Sequence, residues 1–428
     1  MTTKVAKKTV ITTKPGSLNG VREIFSQTDP NFHIIIEQLR STGKAYGFLD
    51  IETPIIEEEK IYTDFYKDQP GALEKIIFTK LGTKSVGLRS SVLPSLLRYY
   101  LSQKIYEQQP VSKWLYISNI VEQDERQAAH LSYEYGFEVL GLVNHLAEAQ
   151  VISAIWTFLT NLKLPDLQLE INMLGDSNVQ NSYQNILKEY LKSKDFDLCE
   201  NCLVHLSGRA LNVLRCNSIN CQLVVAEAPS ILDYLDEASK THFTNVLEAL
   251  DELGIPYQLN QYYAGDHGTL RTNFVIKYTG GKEPIVLGEG AYHELSGKSL
   301  AGKQLASFGF VGKLNALTKA LKDSEVESIN TNYNEVYLVP LGELAAKKSL
   351  RLFRDLITSK IMVYDHFGTE GVKNQLKAAQ DCKAPIALIM GQKEAMDDMV
   401  ILRDVKSGMQ EVFSYDKIID EVIKRLGK

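Results

Sequence analysis

Trp114-Leu115-Tyr116-Ile117-Ser118-Asn119-Ile120-Val121, followed after a polar run by Glu134-Tyr135-Gly136-Phe137-Glu138-Val139-Leu140-Gly141, reads as two neighbouring strands of hairpin type. Around this pair helices are interspersed. Upstream, Phe32, Ile35, Ile36 and Leu39 recur at helical spacing until Gly47 stops the helix. Residues 48–57 then read as a strand, and Pro54 within them predicts an edge or interface position, because proline cannot donate to a ladder. Short strands are expected near residues 76–79 and 86–88, and a helix over residues 93–103. Downstream, Val151, Ile155, Trp156, Leu159 and Leu162 mark the buried stripe of a long helix over residues 147–162. Strands neighbouring in sequence, with helices between, predict an α+β core: an antiparallel sheet with helices packed on it.

Residues 180–250 differ: they are mostly helical in pattern, carry a cysteine cluster, and read as a helical insert. Strands resume at residues 273–278 and 285–288. Beyond residue 332 β and α patterns alternate: strands at 336–341, 361–364, 386–390 and 399–404, helices at 345–356, 372–380 and 415–426. This predicts a small α/β domain over residues 333–428 behind a core over residues 21–325. Residues 1–20, with Lys4, Lys7, Lys8 and Lys14 and no acid, read as a loose basic tail.

The 428 residues are 44% hydrophobic and 23% charged, which excludes a mostly disordered or collagen-like chain. No stretch approaches the roughly 18 apolar residues of a membrane helix, so a soluble cytoplasmic protein with no membrane partner is expected. Formal net charge is −6, so nucleic-acid binding would need a local basic surface. Residues 333–428 hold 15 Lys+Arg against 14 Asp+Glu, net +1, leaving −7 for the remainder. Within that segment Lys347, Arg351 and Arg354 share one helix face and Lys373 with Lys377 another. They are the candidate RNA contacts, with a merely solvated face as the alternative. Cys199 and Cys202 form a C-x-x-C pair, with Cys216 and Cys221 close behind. Two cysteine pairs around a hairpin-sized segment have the shape of a tetrahedral zinc site. The other reading is small buried residues, kept reduced. Cys382 stands alone and reads as a packing residue.

Familiar catalytic signatures are missing. Gly297-Lys298-Ser299 resembles the end of a phosphate-binding loop, but Tyr292 stands where its first glycine belongs. The order of local patterns is more informative. Tyr46-Gly47-Phe48 with Thr53-Pro54-Ile55-Ile56-Glu57, then Leu88-Arg89 and Arg98, then Tyr135 to Gly141, come in sequence. Ala228-Pro229, Leu232-Asp233-Tyr234-Leu235 and Ser239-Lys240-Thr241-His242-Phe243 follow in the insert. Val339-Pro340-Leu341-Gly342, Lys373-x-Gln375-Leu376-Lys377-x-Ala379 and Gly391-x-x-Glu394 close the series. In this order the chain resembles the histidyl-tRNA synthetases along nearly its whole length. The resemblance implies a class II antiparallel core, an α/β anticodon-binding domain, tRNA as partner, and a homodimer formed through residues 32–57.

The resemblance also implies an active site that this chain does not reproduce. The family's second motif holds the ATP α-phosphate with the arginine of Phe-Arg-x-Glu; here the run is Val121-Glu122-Gln123-Asp124. Two unit charges about 4 Å apart interact by about 4 kcal/mol at an effective dielectric of about 20, so Glu122 turns an attraction into a repulsion. The family's Leu-Arg-Pro-Glu-Gly-Thr is here Leu88-Arg89-Ser90-Ser91-Val92-Leu93, so Ser91 replaces the carboxylate, and Leu93 the hydroxyl, that hold the amino acid. Arg-Gly-Leu-Asp-Tyr-Tyr-Thr aligns with residues 264–270, where Ala264 removes an arginine and Gly268 and Thr269 remove aromatic walls. Gly-Gly-Gly-Arg-Tyr-Asp survives as Gly288-Glu289-Gly290-Ala291-Tyr292-His293, and residues 307–317 hold none of the third motif's arginine. No catalytic residue is therefore expected, and the chain reads as a divergent paralogue, a dimeric RNA- or protein-binding module. Two alternatives stay open. One is an active histidine–tRNA ligase that uses ATP and Mg. The other is a protein like the regulatory subunit of ATP phosphoribosyltransferase, against which the altered histidine pocket argues.

Overall fold

The computed structural model describes residues 20–21, 23–24, 29–67, 70–124, 126–141, 143–265, 268–295, 305–324, 335–365 and 371–428. The basic tail, apart from Gly20, lies outside the described residues, as do Asp266, His267 and Gly297-Lys298-Ser299. The chain divides into two compact units, Met1–Ile329 and Asn330–Lys428.

The first unit is built on an eight-stranded sheet, with the stub β1 (Leu49–Asp50) at one edge. The next three strands, β2 (Ile56–Glu58), β3 (Phe78–Leu81) and β4 (Lys84–Leu88), form a separate small sheet. The large sheet then continues with the long strands β5 (Val111–Gln123) and β6 (Ala129–Gly141). It is completed by β7 (Leu167–Met173), β8 (Gln258–Leu259), β9 (Leu270–Tyr278), β10 (Ile285–Leu295) and β11 (Leu305–Lys313). The spatial order is β1-β5-β6-β11-β10-β9-β7-β8; every neighbouring pair is antiparallel except the short edge pairs β1–β5 and β7–β8. The predicted antiparallel core with helices on it is therefore what forms.

Alternation along the strands puts Tyr135, Phe137 and Val139 of β6, Phe308 and Phe310 of β11, and Phe274 and Ile276 of β9 into one core. Phe274 stacks between Phe308 and Phe310, with both centroids 5.8 Å away. Helix His145–Asn161 closes this face with Val151, Ile155 and Leu159, all fully buried, while Trp156 of the expected stripe is only half-buried. Its start is set by Asn144, whose side-chain oxygen accepts from the Ala147 N–H.

The structure departs from these expectations in several places. Residues 48–57 are not one strand but two stubs in different sheets. Leu49 and Asp50 pair with Trp114 and Leu115, whereas residues 56–58 pair with 86–88. The run around Pro54 makes no ladder, as a residue without an N–H requires. Strand β7, central to the site below, is absent from the expectations above although its run Leu-Gln-Leu-Glu-Ile-Asn-Met alternates apolar and polar residues with the strand period of two. The strands at 76–79 and 86–88 shift to 78–81 and 84–88.

The helical insert between β7 and β9 contains helices Ser177–Lys192, Glu200–Ser207, Ile219–Ala226 and Glu237–Glu252. Asp176 caps the first by accepting from the N–H groups of Asn178 and Val179. A small core of its own gathers Tyr183, Leu187, Leu191, Leu206, Leu211, Val213, Cys202 and Cys221.

The second unit is a five-stranded mixed sheet of β12 (Val336–Pro340), β13 (Val363–Tyr364), β14 (Ile386–Met390), β15 (Met399–Asp404) and β16 (Gln410–Ser414), in the order β13-β12-β14-β15-β16. β13-β12-β14 are parallel and β14-β15-β16 antiparallel. Helices Glu343–Thr358, Val372–Asp381 and Tyr415–Leu426 alternate with the strands. Strand β16 and the short helix Gln392–Met396 are not predicted by periodicity; β16 is an exposed, polar edge with no repeating apolar signal.

Candidate functional site

The face of the large sheet opposite the aromatic core is polar, and the register lays it out in rows. One row crosses β5, β6, β11, β10, β9 and β7 through Trp114, Glu138, Gly309, Ala291, Asn273 and Asn172, each directly paired with the next. The next row runs Tyr116, Gly136, Val311, Glu289, Val275 and Glu170. Beside it stand Ser118, Glu134 and Lys313. Glu134, Glu138, Asn172, Asn273, Ser118 and Ser307 are all buried. Side-chain oxygens of Ser118, Glu138, Asn172, Asn273 and Ser307 have no hydrogen-bond partner among the described residues. Buried polar atoms are ordinarily satisfied, so such a concentration marks a place where water or a ligand completes the bonding.

Close approach is built into this face. A Cβ on Gly309 would run into the Glu138 carboxyl group, and one on Gly136 into the Tyr116 ring. Glu134 Oε1 accepts from the Val92 N–H at 2.9 Å and from the Ser91 hydroxyl at 3.2 Å. Burial nonetheless pushes the Glu134 carboxyl up to about 7. Burial, with the Glu134 charge added, raises Glu138 well above the carboxylate range.

The cations around this face are already engaged. Lys313 Nζ lies 2.6 Å from Glu122 Oε2, Lys277 Nζ 2.6 Å from Glu170 Oε1, and Arg215 of the insert 3.4 Å from Glu289. Arg271 at the start of β9 is turned to the core side instead, where it stacks over the Tyr292 ring, 4.7 Å from its centroid. The buried Arg89 donates to the carbonyls of Thr53 and Asn119 and to Asn119 Oδ1. Arg98 pairs with Glu57 at 2.7 Å.

Of the residues singled out from sequence, Ser91 and Glu122 come to this face through Glu134 and Lys313. Ala264 is fully buried in the insert core. Gly268 is exposed with φ +84°, and the buried Thr269 offers its carbonyl to Gln180 Nε2 at 2.8 Å. The four clustered cysteines meet: their Sγ atoms all lie within 4.8 Å of one another. In the second unit Lys347, Arg351 and Arg354 are exposed but paired. Lys347 meets Glu343 at 3.1 Å, while Arg351 and Arg354 share Asp355 at 3.7 and 2.8 Å. Arg351 also covers the Tyr415 ring. Lys373 and Lys377 are exposed and have no ion-pair partner among the described residues.

A histidyl-tRNA synthetase family model matches residues 20–317, and an anticodon binding domain model matches residues 335–425. The chain belongs to the histidyl-tRNA synthetase family. Over 417 residues it is 28% identical to a histidine–tRNA ligase of Halothermothrix orenii, covering 95% of this chain and 98% of that one. The crystal structure of apo S. aureus histidyl-tRNA synthetase superposes with a TM-score of 0.78 at 21% identity, over 96% of this chain and 100% of that chain. An ATP phosphoribosyltransferase regulatory subunit/histidyl-tRNA synthetase from Bacillus halodurans has the same fold, with a TM-score of 0.60 at 15% identity over 87% and 97% of the two chains. The family's class II sheet and its anticodon-binding unit are both present in this chain. No helix among the described residues is long and apolar enough to cross a membrane.

Sequence reasoning missed Lys313 and the burial of Glu134 and Glu138. Lys313 and Glu122 are 191 residues apart, and only the β5-β6-β11 register joins them. For the two acids a signal was visible: they sit inside an otherwise aromatic and aliphatic strand.

Proposed function

We propose that this chain is a non-aminoacylating member of its family that acts as a dimeric tRNA-binding module in the cytoplasm. One observation supports the reading most: Glu122, which the sequence resemblance sets at the second motif's arginine, is held by Lys313, so the cation that reaches it is consumed in neutralising it. Preorganised groups aimed at developing charge usually contribute more to catalysis than any other effect, and the described cations around this face are tied to acids or carbonyls. The amino-acid side is altered independently. Ser91 donates to Glu134 instead of presenting a carboxylate, and Ala264 offers no polar side-chain atom. A second reading, a working ligase that consumes ATP with Mg to form histidyl-adenylate, is favoured by the nearly full-length match to a histidine–tRNA ligase. A regulatory role like that of the ATP phosphoribosyltransferase subunit would demand histidine binding at the same altered pocket.

Histidine-dependent exchange of pyrophosphate into ATP separates these readings. The expected result is no exchange above a no-protein control. Glu122→Arg alone should not restore it, since it would set two cations side by side at Lys313 and leave Ser91 and Ala264 unchanged. Clear histidine-dependent exchange by the unmodified chain would establish the ligase and end this proposal.

A further inference from the structure

From the sulfur geometry we infer that Cys199, Cys202, Cys216 and Cys221 bind one zinc ion, which ties the insert together. Tetrahedral coordination at a Zn–S distance of about 2.3 Å places sulfurs about 3.8 Å apart. Cys199 Sγ and Cys216 Sγ stand 3.8 Å apart, and all four sulfurs lie within 4.8 Å of one another. The spread needs only a small contraction to close on an ion.

A second, independent feature points the same way. Backbone N–H groups are aimed at the sulfurs: Cys199 N–H donates to Cys221 Sγ at 3.2 Å, and Ser218 N–H to Cys216 Sγ at 3.4 Å. Cys199 is the N-cap of helix Glu200–Ser207, and Cys202 and Cys221 lie in the first turns of that helix and of Ile219–Ala226. Outer hydrogen bonds of this kind orient metal ligands. Cys202 and Cys221 are buried while Cys199 and Cys216 are half-buried, which leaves an entry path. Four soft thiolates around one point select zinc among the abundant divalent ions that have no redox chemistry of their own.

The physical role follows from element length. The two helices have eight residues each, with a 3-10 turn at Ala210–Arg215 between them, and helices this short do not persist alone. One ion bonded to the first turns of both would supply the missing constraint. Arg209 and Arg215, at the two ends of that turn, reach Gly265 and Glu289, so the clamp also holds the insert against the polar face.

The test uses the full chain purified without chelators. Elemental analysis should find about one zinc per chain, with protons released on loading and the metal lost on acidification. Cobalt(II) exchanged into the unmodified protein should show thiolate charge-transfer and tetrahedral d–d bands. Cys216→Ser and Cys221→Ser should each lose most of the metal, and Cys382→Ser should keep it. Where a Ser variant does not fold, the cobalt spectrum of the unmodified chain decides by itself. Four freely alkylated thiols with no metal, disulfides found by mass, or bound iron in place of zinc would each overturn the inference.

Discussion

Glu134 is an acid whose carboxyl group water does not reach. Its proton is held to about pH 7 in the fold and to about 4.5 in the unfolded chain, because burial disfavours the charge. Between those values the native state binds more protons than the unfolded state. Stability therefore falls as pH rises from about 4.5 to about 7, and the full cost, roughly 3 kcal/mol, stands above pH 7. Glu138, raised in the same direction, adds to this slope. Glu134→Gln keeps an oxygen to accept from Val92 and Ser91 and removes the charge. Urea unfolding at pH 5 and pH 8 should show the variant more stable than the parent at pH 8, with a smaller difference at pH 5. An unchanged pH slope would mean that Glu134 is not held neutral. Gly309 belongs with this pair, since the space its missing side chain leaves is where the Glu138 carboxyl lies.

Helix Pro30–Ala45 and the stubs after it form the element through which a homodimer is expected, but the structure changes the reason. Phe32, Ile35 and Leu39, the stripe offered for pairing, are buried against this chain's own sheet. What remains for a partner is the segment beyond the helix, where Leu49 is 66% exposed, Ile55 40% and Ile56 44%. Three large apolar side chains so close in sequence and so open make that segment the self-association surface to test. Light scattering at micromolar concentration should give a dimer mass, and Leu49→Asp with Ile55→Asp should shift it toward the monomer. A monomeric parent would exclude the dimer. Because these side chains are exposed, the double variant should still fold.

For the whole molecule, partner choice turns on charge distribution, not on net charge. At −6 the chain as a whole repels nucleic acid, and the three-cation stripe on helix Glu343–Thr358 is largely spent on Glu343 and Asp355. Lys373 and Lys377 keep their charge available, so RNA affinity should depend on them more than on Arg351. Titrating the full chain with a tRNA pool at two salt concentrations should give weak binding that falls at a slope of about −0.7 per phosphate neutralised. Lys373→Glu with Lys377→Glu should weaken it more than Arg351→Glu alone. No binding at low salt would leave a protein partner as the better reading.

Fold and family were legible because each rests on information that is local along the chain. Alternation in residues 114–121 and 134–141, helical spacing in 151–162 and the β/α alternation after residue 332 all express backbone periods that neighbours a few positions apart can reveal. The residue types at Ser91, Glu122, Ala264, Gly268 and Thr269, on which the proposed loss of catalysis rests, were readable for the same reason, since each lies within a short run. What those residues touch was not readable. Lys313 meets Glu122, and Glu138 fills the space over Gly309, only because antiparallel register brings β5, β6 and β11 side by side. The four sulfurs come within reach of one ion only because two short helices turn their first turns toward each other. Sequence therefore determined the elements and the chemical groups they carry, whereas tertiary structure decided which charges are neutralised, which acids lose their water and which thiols can share an ion. Those outcomes depend on distance and solvent access, and long-range packing alone sets both.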